Sequence, residues 1–343
     1  MKSTIKDVAQ LAGVSIKTVS RVINKEASVR ADTIEKVNQA IRELNYEPNL
    51  AARNLAGTRS YTIGYVYDNP NAYYVIDMQN GILGECKERG YELVIHPCKS
   101  SSPNICDELK NMVTKSQLAG LVISPPLSEM PEVLEALAEM DLQFVRIISG
   151  SGKKPESTPC IFVHDHEAAL HITEHLIDLG HKNIAFISGD KGHRSTGERY
   201  NGYCEALKNA GLKIDADYLY EGQYSFETGV KGAKQLLSLD SPPSAIFACN
   251  DEIAAGALFA SRLMNVAVPE QLSIAGFEDS PFSRQTWPKL TTAAQPTNII
   301  ARKAAELLIS QIVAQRTGKG KTIQHQHFEP DLVVRESTQR IQQ

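Results

Sequence analysis

The stretch Thr4-Ile-Lys-Asp-Val-Ala-Gln-Leu-Ala-Gly-Val-Ser-Ile-Lys-Thr-Val-Ser-Arg-Val-Ile-Asn24 organises everything that follows in this chain. Thr4 can cap a helix in which Ile5, Val8, Ala9 and Ala12 recur at i, i+3, i+4 and i+7. Gly13 ends that helix, and Val14 is placed to pack inside the turn. Ser15 then caps a second helix over Ile16 to Asn24, with Val19, Val22 and Ile23 inward. A third is expected from about Asp32 to Leu44. Its Asp32-x-x-Glu35 pair resembles a capping box, and Ile34, Val37, Ala40, Ile41 and Leu44 form its apolar stripe.

Two short helices joined by a glycine turn have the spacing of a helix-turn-helix, which lays the start of its second helix in the DNA major groove. The side chains exposed there would be Ile16, Lys17 and Thr18, with Arg21 one turn on. Lys or Arg can donate to guanine O6 and N7, while an Ile or Thr methyl can touch a thymine methyl. Ser15, Thr18 and Ser20 are suited to phosphates, which fix register. On spacing alone, a plain three-helix bundle with a polar surface stays open.

Charge supports the DNA reading. The net charge of −4 hides a division: residues 1–60 hold ten Lys and Arg against six acids, so the first sixty carry +4 and the remainder −8. A basic head on an acidic body suits a nucleic-acid module joined to a sensing domain. With 42% hydrophobic and 22% charged residues, the composition is that of a globular protein. No apolar run approaches the roughly 18 residues of a membrane span, and Met1 to Gln10 lack the apolar core of a signal peptide. A cytoplasmic protein is expected. Six cysteines without a C-x-x-C pair fit reduced, idle thiols.

The quoted stretch closely resembles the head of the lactose-repressor family, as does Leu44-Asn-Tyr-Glu-Pro-Asn-Leu-Ala-Ala-Arg-Asn-Leu-Ala-Gly57, and the resemblance extends over essentially the whole chain. It implies a homodimeric repressor that reads a pseudo-palindromic operator in double-stranded DNA under the control of a small molecule. Ala31 departs from the Ser or Thr common before the third helix, leaving Asp32 as the expected cap.

Three regions are expected: a head over 1–48, a hinge over 49–60 and a sensing domain over 61–343. Asn49 can cap a segment from Leu50 to Ala56 that is too short to be helical alone in water. It should therefore fold only when two copies meet on DNA. The resemblance makes Leu55 a wedge into the minor groove, where unstacking a base step costs a few kcal/mol and bends the duplex.

From Tyr61 onward short apolar runs alternate with amphipathic stretches. Strands are predicted near Gly64, Val94, Val122, Val145, Phe162, Phe186, Leu219, Phe247 and Ile274, with helices such as Val75–Arg89, Ala168–Leu179 and Glu252–Met264 between them. That alternation predicts two doubly wound, parallel-sheet lobes. The resemblance makes them like periplasmic binding proteins. Ligands bind beyond the carboxyl ends of such strands. The polar residues there are Asp68, Asn69, Ser124, Arg146, Asp165, Asp190, Asn250, Asp251, Glu278 and Asp279. Carboxylates and amides converging with aromatic rings suit a sugar.

The resemblance adds ligand contacts at Asn71-Ala-Tyr73-Tyr74, at Arg199 and at Tyr224, and supports Asn250-Asp251 and Glu278, where many relatives carry Asp. A small sugar is the expected effector and a purine or nucleoside the alternative. No cofactor, metal or membrane partner is expected. Gly150-Ser-Gly-Lys-Lys154 lacks the remaining residues of a phosphate loop, and His171 and His175 read as a solvated helix face, since Leu170 stands where a zinc motif needs histidine. No nucleophile paired with a base is apparent, which disfavours an enzyme, and the DNA head without a signal peptide disfavours a transport solute-binder. The tail from Glu329 to Gln343 lacks leucine heptads, which favours a dimer over a coiled-coil tetramer.

Overall fold

The computed structural model describes residues 3–23, 29–46, 60–150, 158–318 and 323–341. The chain divides into two compact units, Met1–Tyr61 and Thr62–Gln343. Asn24, the hinge residues Asn49 and Leu55, and most of the 150–154 stretch lie outside the described residues.

In the first unit, Thr4 opens α1 (Ile5–Ala12) by donating from its backbone nitrogen (2.7 Å) and its hydroxyl (2.8 Å) to Asp7. Those two bonds hold the Asp7 carboxyl below its ordinary range. Gly13 ends the helix at φ 67°, a left-handed conformation that glycine adopts without steric cost. α2 (Ile16–Ile23) follows, its first turn closed by Thr18 N donating to Ser15 Oγ at 3.1 Å. α3 (Ala31–Glu43) begins one residue earlier than expected. Arg30 is its cap residue, and Asp32 sits inside the first turn instead of capping it. The Asp32 charge there still faces the positive end of the helix. Val8, Ala9, Val19, Val22, Val37 and Ala40 form the buried centre, with Val14 packed beside them.

The second unit is built of two parallel sheets. The first lobe runs β1 (Thr62–Tyr67), α4 (Ala72–Arg89), β2 (Glu92–Pro97), α5 (Ile105–Lys115), β3 (Gly120–Ile123), α6 (Pro131–Ala138), β4 (Gln143–Ser149) and β5 (Cys160–Val163). The chain then crosses to the second lobe: α7 (Asp165–Asp178), β6 (Ile184–Ile187), α8 (Arg194–Asn209), β7 (Leu219–Tyr220), α9 (Phe226–Leu237), β8 (Ala245–Ala248), α10 (Asp251–Leu263), β9 (Ser273–Ala275) and α11 (Pro281–Gln285). It returns through β10 (Thr292–Ala294) to α12 (Thr297–Thr317), which packs on α4 and on the first sheet. β11 (Gln326–Phe328) then joins the first sheet beside β5, and β12 (Asp331–Val333) turns back to pair antiparallel with β10.

Strand order is β11-β5-β4-β3-β1-β2 in one sheet and β7-β6-β8-β9 in the other. Each order reverses beside the first strand of its lobe, which opens a crevice at the carboxyl ends. All nine predicted strands are present. The second lobe's core is dominated by Phe186, Phe247, Tyr203 and Phe277, with the Phe186 and Phe247 rings edge-on at 5.3 Å. α9 and α10 cross closely through Gly229 and Gly256. A Cβ on either would overlap the facing helix backbone, at Ile253 or at Phe226.

His175 is not on a solvated face. Its ring is half-buried and meets the Thr338 hydroxyl at 3.0 Å. The tail thus folds onto the second lobe, where Ser337 Oγ donates to Ile274 O at 2.5 Å and Gln339 N to Ser273 Oγ at 3.1 Å.

Candidate functional site

In the head, Ile16, Lys17 and Arg21 are exposed on α2, and Ile16 keeps 45% of its surface in solvent although it is apolar. An exposed isoleucine beside a lysine at a helix start matches what a major-groove reader needs. The Ser15 and Thr18 hydroxyls lie 2.9 Å apart, so a phosphate would meet them as a pair. Ser20 is half-buried on the same helix.

In the second unit a cavity of about 50 Å³ lies between the carboxyl ends of the two sheets. Tyr74, Asp165, Arg199, Tyr224 and Glu278 line it, as the sequence predicts for a ligand site, together with Asn69, Asn71, Ser149, His193, Ser195 and Gln295. Arg199 is the centre. Its Nε and Nη2 both donate to Asp165 Oδ1 at 2.8 Å, and Nη1 donates to the Cys249 carbonyl at 2.6 Å. Its guanidinium stacks 3.7 Å from the Phe277 ring centre. Burial opposes the charge, but Asp165 and the neighbouring groups more than restore it and hold Arg199 above the ordinary arginine range. Ser149 Oγ donates to the other Asp165 oxygen at 2.5 Å.

Glu278 faces this pair, its Oε1 4.0 Å from Arg199 Nη1. Burial pushes its carboxyl up to about 8 against the pull of Arg199, with Asp251 and Asp165 adding to the rise. Its backbone and that of Asp279 lie at φ 103° and 54°, the left-handed region in which a non-glycine residue is strained. Bonds from Glu278 N to Ala293 O (2.8 Å) and from Arg335 Nη2 to Asp279 Oδ1 (2.6 Å) hold that turn. Asn71 caps α4 by accepting from Tyr73 N (3.0 Å) and Tyr74 N (3.3 Å), and its Nδ2 crosses the cleft to donate to Glu278 Oε2. Tyr224 closes the second-lobe wall, its hydroxyl 2.8 Å from Thr196 Oγ1 and its ring edge-on to His193. Burial drives the Tyr74 and Tyr224 hydroxyls well above their ordinary range and lowers His193, so all three are neutral near pH 7.

The other predicted residues sit at strand ends without lining this cavity. Asp68 accepts from Ser100 N and Oγ at 2.7 and 2.6 Å. Ser124 is fully buried beside Tyr65. Arg146 Nε donates to Ser128 O at 2.7 Å. Asn250 caps α10 through Ile253 N at 2.9 Å. Asp251 accepts from Ser280 N and Thr292 Oγ1, both at 2.7 Å, and burial lifts its carboxyl to about 7. Tyr73 packs edge-on against Phe282 at 5.7 Å. Gln295 and His193 escape sequence reading. Gln295 follows β10, a three-residue strand with no periodic signal, and His193 stands six residues beyond β6.

Residues 4–49 match the model of the lacI family of bacterial regulatory proteins, and residues 173–338 that of a periplasmic binding protein-like domain. The HTH-type transcriptional repressor PurR of Pasteurella multocida (strain Pm70) is 33% identical over 335 residues, covering 98% of both chains. The chain belongs to the lacI family. A second relative of the same name, from Mannheimia succiniciproducens, is 32% identical over 99% of both chains. Among solved structures, the lac repressor dimer bound to operator and the anti-inducer ONPF matches with TM-score 0.75 at 27% identity, over 99% of this chain and all of that one. The transcriptional regulator CelR–cellobiose complex matches with TM-score 0.73 at 29% identity, over 98% and 100%. As a lacI-family member the protein is a DNA-binding transcriptional repressor, with a helix-turn-helix head and a periplasmic-binding-protein-like core. No helix among the described residues is long and apolar enough to cross a membrane.

Proposed function

We propose that this repressor binds its operator as a homodimer and is switched by a small, neutral effector held between Arg199 and Glu278. The observation that carries the neutral class is the state of Arg199. Its charge is balanced by Asp165 and its donors are turned to Asp165 and Cys249. The remaining acidic lining residue is Glu278, whose carboxyl burial raises to about 8, and His193 is neutral. Among the described lining residues a phosphate would find no free cation, whereas hydroxyls or ring N–H groups would find acceptors.

A sugar is the leading effector. Asp165, Glu278 and Asn71 offer paired acceptors and donors, and Tyr74 and Tyr224 offer ring faces to the apolar side of a pyranose. A purine is the second reading, favoured by the relatives named PurR. Homodimerisation is supported by the lac repressor dimer among the structural neighbours. The proposed division of labour keeps Ser15, Ile16, Lys17, Thr18, Ser20 and Arg21 on DNA, with Asn49 and Leu55 in the hinge. Effector control requires unequal affinity for the DNA-competent and incompetent states.

The test is operator binding by the purified protein across neutral sugars, purine bases and their phosphorylated counterparts. A neutral compound should shift the binding curve. A response confined to phosphorylated compounds would overturn the neutral class, and a response to a purine alone would overturn the sugar.

A further inference from the structure

A separate cavity of about 320 Å³ opens in the second lobe, beyond the carboxyl ends of β6 and β7. It shares no lining residue with the Arg199 cavity. Ser195 and Arg199 of α8 line the Arg199 cavity, whereas Thr196 and Tyr200 of the same helix line this one. Each pair is four residues apart, so each occupies its own face of α8. The two spaces meet at that helix, where the buried Thr196 hydroxyl stands 2.8 Å from the Tyr224 hydroxyl. The volume lies within the roughly 300–1,000 Å³ of ordinary ligand sites.

The chemistry of this cavity is divided by depth. Inside, the buried Phe186 ring has the Tyr200 ring tilted against it at 5.7 Å, and Tyr220 adds a third ring. Outside, Lys191 Nζ meets Glu221 Oε1 at 2.6 Å, with the two side chains 69% and 68% exposed. An ion pair so open to water contributes little to stability, so a ligand parts it easily. Gly197 leaves room in the wall, since a Cβ added there would meet nothing within 4 Å.

These features suit one class of molecule. The three rings fit an aromatic side chain. A ligand bearing only a carboxylate would satisfy Lys191 but meet like charge at Glu221, and one bearing only an ammonium would do the reverse. A zwitterion satisfies both. We propose that this space is a second ligand site, separate from the effector cleft, and that it takes a free aromatic amino acid. The ring lies against Phe186, Tyr200 and Tyr220, the carboxylate on Lys191 and the ammonium on Glu221.

Calorimetric titration of the full chain tests it with phenylalanine, tyrosine and tryptophan, with leucine, and with the one-charge relatives 3-phenylpropionate and phenethylamine. At least one aromatic amino acid should bind, about tenfold or more tightly than leucine or either one-charge relative. Lys191 and Glu221 are exposed, so Lys191→Ala and Glu221→Ala leave the core intact, and each should weaken binding about tenfold. Gly197→Leu, whose side chain enters the open space, should abolish binding while operator binding persists. Should that variant fail to fold, the two alanine variants decide alone. Silence from all three aromatic amino acids, or binding that survives all three substitutions, overturns the site. Equal binding of a one-charge relative, or full binding in both alanine variants, overturns the amino-acid class.

Discussion

Asn71 and Glu278 join the two lobes across the cleft, the amide of the first donating to the carboxyl of the second at 2.5 Å. The same amide caps α4, so the first-lobe helix and the second-lobe turn share one side chain. Any ligand that engages Glu278 therefore also acts on the start of α4.

Glu278 and Asp251 make stability depend on pH. Their folded values, about 8 and about 7, lie above those of an unfolded chain. The folded protein then binds more protons than the unfolded one from about pH 4 to pH 8. The stability these groups contribute is complete at the acid end and is lost as pH rises through 7 and 8. Glu278→Gln should flatten that decline in urea-unfolding midpoints measured from pH 5 to 9. An unchanged slope would show that Glu278 does not titrate in this range.

Arg199 is the cation among the described residues lining the cavity, and it is fully engaged by Asp165 and the Cys249 carbonyl. Arg199→Met would leave the Asp165 carboxylate buried without its cation, at a cost of about 3–5 kcal/mol. Arg199→Lys should recover only part of it, because an ammonium cannot reproduce the planar fork to Asp165 and Cys249. Equilibrium urea denaturation reads both, and a loss under about 1 kcal/mol in the Met variant would contradict the assignment.

Lys17→Ala should remove about 1–3 kcal/mol from operator binding if the lysine reads a base edge. Binding to scrambled DNA should change far less. Anisotropy titrations at fixed salt separate the two, and equal losses would reduce Lys17 to a phosphate contact. Leu55→Ala should show the same selectivity for operator.

Gly256→Ala tests the α9–α10 crossing. The added methyl meets the Phe226 carbonyl, so the helices must separate, at a cost of about 1–3 kcal/mol. Thermal unfolding should register it. An unchanged midpoint would mean that the helices yield freely.

Much of this architecture is legible before any coordinates. Ile5, Val8, Ala9 and Ala12 repeat at helical spacing, and the runs at Gly120–Ile123 and Ala245–Ala248 are continuous because both faces of a parallel strand are buried. The strands β10, β11 and β12 are illegible for the opposite reason. They lack an apolar run, since Thr292 opens β10 and Gln326, His327 and Asp331 break any pattern in the other two. In the cleft, sequence marks which residues follow strands but not which way they turn. Asp68 and Arg146 find partners in neighbouring loops, at Ser100 and Ser128, while Asp165 finds Arg199 only through the fold.

Neither lobe of the sensing unit is a continuous piece of chain. The first-lobe sheet takes its outer strand from Gln326–Phe328, and the second lobe secures β10 with Asp331–Val333 and the Ser337 hydroxyl. A ribosome must therefore emit nearly the whole polypeptide before either half can finish folding. A stop codon thirty residues early would remove β11, β12 and the Ser337 clasp at once, and so would spoil both halves of the sensing unit together.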